Sequence, residues 1–366
     1  MSAGPDRPLT AAVLEAGTAA GLAAVGVADA APFETTRVVL EERRAAGLHG
    51  GMAFTYRNPA RSTDPSRSMA GARSLVVGAW ATPPPEEPVG AGAVARVARY
   101  AATDHYGRLR EALGTVADLL RAHDRRALVL ADDNALVDRA AAHRAGLGWF
   151  GKNANLLLPG RGSWFVLGSV LTDAHLEPAA APVADGCGTC RRCLDGCPTD
   201  AIVAPGVVDA RRCLAWLVQA PGPFPPEFRA ELGDRIYGCD DCQEVCPPNR
   251  RAEATAVPVA MSDPGPAVEL RWLLTAPDHE LLDRVGRWYI PARDPAVLRR
   301  NALVVLGNTS PADAADGRWD AVLRAHQEGD DPLLAEHAAW AATRLGRPVL
   351  WHHRDVPHQD APRGPA

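Results

Sequence analysis

Three apolar runs rich in β-branched residues, Ser74–Trp80, Ala127–Leu130 and Trp164–Thr172, predict buried strands. Between them, Thr36–Ala46, Tyr106–His123 and Val137–Ala145 place apolar residues at helical spacing. This alternation predicts an α/β domain over residues 1–180. The stretches around 82–88 and 178–186 are rich in Pro, Gly and acids, and predict loops. The periodicity then fades across 181–255, which predicts a small module stapled by its own ligands.

It returns as helix from 265 to 348, with a repeat. Asp294-Pro295-Ala296-Val297 opens one helix that should close near Leu306-Gly307, and Asp331-Pro332-Leu333-Leu334 opens another that should close near Leu345-Gly346. Asp suits the N-cap, Pro the first turn and Gly the position beyond the C-cap. The offset of about 37–39 residues suits HEAT-like helix pairs. Residues 349–366 read as a flexible tail, with His352, His353 and His358 part of a frayed end rather than a metal site.

Composition narrows the classes. Of 366 residues, 47% are hydrophobic and 23% charged, which supports a packed core over disorder. The net charge of -5 excludes a uniformly basic nucleic-acid binder, so any basic patch is local. Neither a secretory signal nor a membrane-length apolar run is present in the sequence, so a cytoplasmic location is expected. Structural disulfides are rare there, and the cysteines need another account. Arginine outnumbers lysine 38 to 1, and the one lysine is Lys152. A position that resists such a bias is a candidate for a role that needs an ammonium.

All eight cysteines fall between residues 187 and 246. Cys187, Cys190, Cys193 and Cys197, followed by Pro198, form the C-x2-C-x2-C-x3-C-P run of bacterial ferredoxins. Cys213, then Cys239, Cys242, Cys246 and Pro247, repeat it with an insertion after the first cysteine. In such runs the fourth cysteine serves the other cluster. Cys187, Cys190, Cys193 and Cys246 are thereby assigned to one 4Fe–4S cluster, and Cys197, Cys213, Cys239 and Cys242 to a second. Structural zinc is the alternative, but zinc ribbons rarely place three cysteines at successive x2 spacing before Cys-Pro. Two such clusters would form a wire for single electrons, feeding chemistry elsewhere in the chain.

That chemistry has no dinucleotide fingerprint, because no G-x-G-x-x-G follows a strand, and no P-loop is present. Asp173-Ala174-His175-Leu176-Glu177-Pro178 half-matches a D-x-H-x-x-G cobalt-ligand motif, but Pro178 replaces the glycine. His175 reads as an ordinary loop histidine. Other elements are more specific: Val137-Asp138-Arg139, Gly146-Leu147-Gly148-Trp149-Phe150-Gly151-Lys152-Asn153 and Gly162-Ser163-Trp164-Phe165, followed by the cysteine module. Flanking them are His49-Gly50-Gly51-Met52, Asp64-Pro65, Gly71-Ala72-Arg73-Ser74 and Arg299-Arg300-Asn301-Ala302. Together these resemble the epoxyqueuosine reductase family over most of the chain.

The resemblance implies an α/β cobalamin-binding domain, a ferredoxin-like two-cluster module and an all-α HEAT-like C-terminal domain. It implies cobalamin held with no protein ligand to cobalt, and corrin contacts from Gly148, Trp149, Gly151, Lys152, Asn153, Asn155, Ser163 and Trp164. Glycines around a tryptophan would let backbone approach a flat ligand closely. The family's proton donor maps to Asp132, six residues before Asp138. Here the element reads Asp132-Asp133-Asn134-Ala135 where the family has Asp-Thr-Gly-Pro, and Asp104-His105-Tyr106 where it has Asp-Tyr-His. A one-residue shift would move the role to Asp133.

The implied activity is reduction of epoxyqueuosine to queuosine at the anticodon wobble position of tRNA by a monomer. An external flavodoxin- or ferredoxin-like protein would supply the electrons. Arg284, Arg287, Arg293, Arg299 and Arg300, with Trp288 and Tyr289, would grip the anticodon arm. A related cobalamin and iron–sulfur reductase with another substrate, such as an organohalide, and a plain electron-transfer protein are the alternatives.

Overall fold

A computed structural model describes residues 4–86, 93–261, 264–310 and 317–351. The chain divides into two compact units. The first joins residues up to 86 with 98–216 and 239–262, and so contains every cysteine. The second is formed from 87–97, 217–238 and 263–366. The boundaries expected at 180 and 265 do not coincide with this division. The cysteine loops share one body with the sheet, and the insertion between Cys213 and Cys239 belongs with the helices.

In the first unit the elements are α1 (Arg7–Ala19), β1 (Ala24–Asp29), α2 (Glu34–Ala45), β2 (Ser74–Ala81), α3 (His105–Ala122), β3 (Ala127–Ala131), α4 (Asp138–Arg144), the short β4 (Trp149–Phe150) and β5 (Leu156–Leu157), and β6 (Phe165–Thr172). The sheet order is β1-β2-β6-β3, and each neighbouring pair is antiparallel. Sequence periodicity located β2, β3 and β6 but not their direction. The sheet is apolar on both faces, which explains unbroken runs rather than strict alternation. Leu75, Val77, Ala79, Leu167 and Leu171 pack toward α2 and α4, while Val76, Val166 and Val170 pack toward α1 and α3. α1 and β1 escaped the sequence reading because their alanine-rich segment carries little contrast. Asp6 caps α1 by accepting the Leu9 N–H at 3.0 Å.

Short helices in the cysteine loops include α5 (Arg192–Asp195), α6 (Asp241–Glu244) and α7 (Pro247–Glu253). Pro247 and Pro248 begin α7, where a missing N–H costs nothing.

The second unit is built on α8 (Ala296–Asn308), α9 (Arg318–Gln327) and α10 (Pro332–Arg344). Val94–Val97 lies between Arg235–Tyr237, parallel to it, and Ala267–Glu269, antiparallel. Asp331 caps α10 through the N–H groups of Leu333 and Leu334, and Gly346 follows with a φ of +64°. α8 closes near Leu306-Gly307 as expected, ending at Asn308, but Gly307 is within the helix rather than beyond its cap. A Cβ there would stand 2.4 Å from the Trp340 ring. The role of the glycine is packing of α8 on α10. The tail histidines lie outside the described residues. Among the described residues, no helix is long and apolar enough to cross a membrane.

Candidate active site and cluster loops

β3 delivers the chain into a turn of acids. Asp132 follows Ala131 with a φ of +55°, a left-handed conformation that costs a non-glycine residue energy. The turn is closed by its other residues. Asp133 Oδ1 accepts the Ala135 N–H at 2.8 Å, and the Asn134 carbonyl accepts the Ser62 hydroxyl at 2.9 Å. Asp133 is therefore occupied as the side-chain cap of its own turn.

Asp132 is an exposed residue whose carboxyl is nonetheless partly desolvated by the protein around it. Burial raises its pKa, Arg110 opposes that shift and Asp133 adds to it. Arg110 spends an N–H on the Ala131 carbonyl at 3.1 Å. Asp138, at the start of α4, is pushed well above the carboxylate range by burial and then by Asp132, with Arg139 opposing. Burial and the same two carboxylates raise the Tyr106 phenol. The group is thus two coupled carboxyls and a phenol that favour their protonated forms, which suits proton donation. Arg139 also donates to the Ala154 carbonyl at 3.2 Å and acts electrostatically on Cys213. Asp138 and Tyr106 were missed as site members, because sequence gives no burial for a single acid.

The glycine–tryptophan segment forms the β4–β5 hairpin. A Cβ on Gly148 would lie 2.0 Å from the Leu157 carbonyl, and one on Gly151 would lie 2.3 Å from the Leu157 side chain. Both glycines admit the protein's own Leu157. Lys152 Nζ donates to the carbonyls of Gly188 (2.6 Å) and Cys190 (2.9 Å). Asn153 donates to the Cys242 carbonyl at 3.3 Å and accepts the Asn155 N–H at 3.2 Å, while the Asn155 carbonyl accepts the Gly151 N–H.

Ser163 is equally committed. Its hydroxyl donates to Gln243 Oε1 at 2.8 Å, and its N–H reaches Asn249 Oδ1 at 2.6 Å. Asn249 donates in turn to the Ser163 hydroxyl and the Gln243 carbonyl. Gln243 donates to Asp240, which accepts the Arg99 N–H at 2.7 Å. The Arg99 guanidinium lies 3.7 Å over the Trp164 ring and pairs with Glu253. Of the residues expected against a corrin, Lys152, Asn153 and Ser163 instead form a polar seam with the cysteine loops. The indole N–H groups of Trp149 and Trp164 are buried with no hydrogen-bond partner. Asn249, Gln243 and Arg99 were not foreseen, since isolated polar residues carry no spacing signal.

The thiols fall into two quartets. Burial pushes Cys193 up to about 11, and Cys246, Cys187 and Cys190 add to it. Cys242 is pushed well up by burial and then by Cys239, Cys213 and Cys197. Cys187, Cys190, Cys193 and Cys246 line a cavity of 180 Å³ with Gly151, Lys152 and Arg251. No three described Cys, His, Asp or Glu side chains converge on a single-ion position. A soft, all-thiolate set of this kind suits iron–sulfur clusters.

In the second unit the expected phosphate contacts are corrected in part. Arg300 is fully buried and donates to the carbonyls of Leu217 and Ala220 at 3.0 and 2.7 Å. Arg299 pairs with Asp278 at 2.6 Å, and Trp288 is buried against Tyr237, ring on ring at 4.5 Å. Arg284 lies over Trp272, while Tyr289 is exposed. Arg300 and Trp288 are core residues, a distinction that a run of arginines cannot reveal.

Residues 186–249 match the 4Fe-4S double cluster binding domain. Over 321 residues the chain is 36% identical to epoxyqueuosine reductase of Xanthomonas campestris pv. campestris, covering 82% of this chain and 86% of that protein. The chain belongs to the epoxyqueuosine reductase family. An epoxyqueuosine reductase solved with an epoxyqueuosine-modified tRNA-Tyr stem loop is 30% identical, with a TM-score of 0.84 over 93% of this chain and 90% of that one. The enzyme from Bacillus subtilis, solved with its aspartate catalytic loop swung out of the active site, is 29% identical, with a TM-score of 0.83 over 92% and 90%. The family likeness thus spans both units, not the cysteine loops alone.

Proposed function

We propose that this protein is an oxidoreductase that reduces epoxyqueuosine in tRNA to queuosine. The strongest support is the likeness, over nearly the whole chain, to a reductase solved with a modified stem loop. Removing an epoxide oxygen as water takes two electrons and two protons. Iron–sulfur clusters supply single electrons, and we assign one cluster to Cys187, Cys190, Cys193 and Cys246 and a second to Cys197, Cys213, Cys239 and Cys242. Lys152 and Asn153 hold the carbonyls of Cys190 and Cys242, so the hairpin fixes both loops against the sheet.

Asp132 donates the proton to the departing oxygen. Its carboxyl accepts no hydrogen bond from the described residues, and burial favours its protonated form. Asp133 is held by Ala135 instead. Burial and the neighbouring Asp133 oppose its ionisation, and Arg110 favours it. We place the tRNA on the second unit, with α8 and α10 as a HEAT-like pair and Tyr289 as an exposed stacking surface.

Cobalamin is proposed on the family resemblance alone. Three of the residues expected to line it are committed to the polar seam, and only the indole donors of Trp149 and Trp164 stand unpaired. That is a poor fit for the expected contacts. The test is anaerobic reaction of reconstituted protein with an epoxyqueuosine-containing stem loop, read by nucleoside mass spectrometry. Conversion to queuosine is expected. No conversion by protein whose clusters are reduced would overturn the assignment.

A further inference from the structure

Lys152 and Asn153 are neighbours in the chain, and they make the same kind of contact with different charge. Asn153 offers an uncharged amide to the Cys242 carbonyl at 3.3 Å. Lys152 offers an ammonium to the carbonyls of Gly188 at 2.6 Å and Cys190 at 2.9 Å. A net charge is thus set beside one cysteine loop, and a neutral dipole beside the other. Lys152 also lines the same cavity as Cys187, Cys190, Cys193 and Cys246.

The local backbone holds this charge in place. The Lys152 carbonyl accepts the Gly206 N–H at 2.8 Å, and the preceding Gly151 N–H is bonded to the Asn155 carbonyl. An ammonium has three N–H donors. Two end on the Gly188 and Cys190 carbonyls, and the third makes no hydrogen bond among the described residues. Lys152 is half-buried, so its field is screened less than that of Arg251, an exposed cation that lines the same cavity.

One-electron reduction of a cluster adds one negative charge beside this ammonium. Cluster potentials respond to net charge and to hydrogen bonds around the sulfurs. A cation fixed against the loop stabilises the reduced form more than the oxidised one. Arginine, which the chain uses 38 times, would spread that charge over a planar fork, whereas an ammonium is a compact point charge. That difference gives the one lysine a reason to stand here.

We propose that Lys152 is a redox-tuning residue: its ammonium raises the reduction potential of the cluster on Cys187, Cys190, Cys193 and Cys246, and not that of the second cluster. It acts through the cluster. The proposal rests on the two-cluster reading above.

The experiment is an EPR-monitored redox titration of anaerobic, cluster-loaded full-length protein, with dithionite as reductant. It reads only protein that carries clusters, so partial iron loss does not blur it. Lys152→Gln and Lys152→Met remove the charge, the first keeping an N–H donor, and Lys152→Arg keeps the charge but spreads it. Both neutral variants should lower one of the two midpoints by about 59 mV, a tenfold change in a one-electron equilibrium, and leave the other in place. Lys152→Arg should fall between them and the parent. Cys193→Ala and Cys213→Ala, one ligand from each set, assign the midpoints, and the lowered one should be that lost in Cys193→Ala. Equal midpoints in the parent and both neutral variants would overturn the proposal while leaving the clusters in place. Loss of iron or stability with no change of midpoint would do the same, since that is what a purely structural lysine gives. A shift at the cluster that Cys213→Ala removes would count against it equally. Clusters that load only when residue 152 is charged would replace tuning by a role in assembly. A parent that gives no iron–sulfur signal on reduction would instead sink the cluster reading itself.

Discussion

The polar seam at Lys152, Asn153 and Ser163 and the acid turn at Asp132 are both rich in polar groups, and they are built in opposite ways. In the seam, each of those three side chains ends on a partner in the cysteine loops. In the turn, Asp132 holds a strained backbone and a carboxyl with no hydrogen-bond donor among the described residues. Satisfied networks rigidify a structure, whereas uncompensated carboxyls with raised pKa mark a place where protons move. In the Gly-Trp-Phe-Gly-Lys-Asn motif, the Lys152 and Asn153 side chains tie the hairpin to the cysteine loops.

The contrast breaks most sharply at Asp132. Asp132→Asn should keep the clusters and lose turnover by about 10²-fold or more, the scale for removing a general acid. Single-turnover assays on a modified stem loop would show this, and an active variant would strip the turn of its role. The parent's turnover should also fall as pH rises through the raised Asp132 pKa, since the donor must be protonated. The variant should lack that limb.

In the seam the loss should appear as stability. Asn249→Ala leaves the Ser163 N–H and the Gln243 carbonyl without partners, at a cost of about 1–3 kcal/mol, measured by denaturant unfolding of anaerobic protein. Lys152→Met removes two charge-assisted bonds to the Gly188 and Cys190 carbonyls. A destabilisation of about 1.5 kcal/mol and faster iron release to a chelator are expected. Asp138→Asn tests the turn from the stability side. A carboxyl whose folded pKa is raised contributes fully below its ordinary value, and that contribution is lost as pH rises through the raised one. The variant should therefore unfold with a flatter pH dependence and hold up better than the parent at neutral pH. Asp133→Asn should change least, within about twofold in turnover, because an amide oxygen can still accept the Ala135 N–H.

Much of this was legible beforehand. β2, β3, β6 and α2–α4 fall within one or two residues of the predicted runs, because both faces of the sheet are apolar and the helices are amphipathic. What the sequence hid was partnership across distance. Nothing local separates Arg300, sealed against the Leu217 and Ala220 carbonyls, from an arginine waiting for phosphate. Nothing local says that Lys152 reaches residues 188 and 190, or that Asn249 bonds Ser163 across a gap of 86 residues.

The chain's excursion between Cys213 and Cys239 has a consequence for anyone dividing this protein into parts. Residues 217–238 leave the iron-binding unit and fold among the C-terminal helices, where Asn301 bonds the carbonyls of Val218 and Ile236. Arg229 is clasped there by Glu336 through both oxygens. A stop codon after residue 262 would thus leave that excursion with bare carbonyls, an unpaired buried arginine and apolar side chains such as Phe224 and Ile236 in water. The two cysteines at its ends would have to find each other across a floppy loop. The redox half is not a cassette: it cannot be cut out, swapped or inherited on its own without carrying a piece of the other half along.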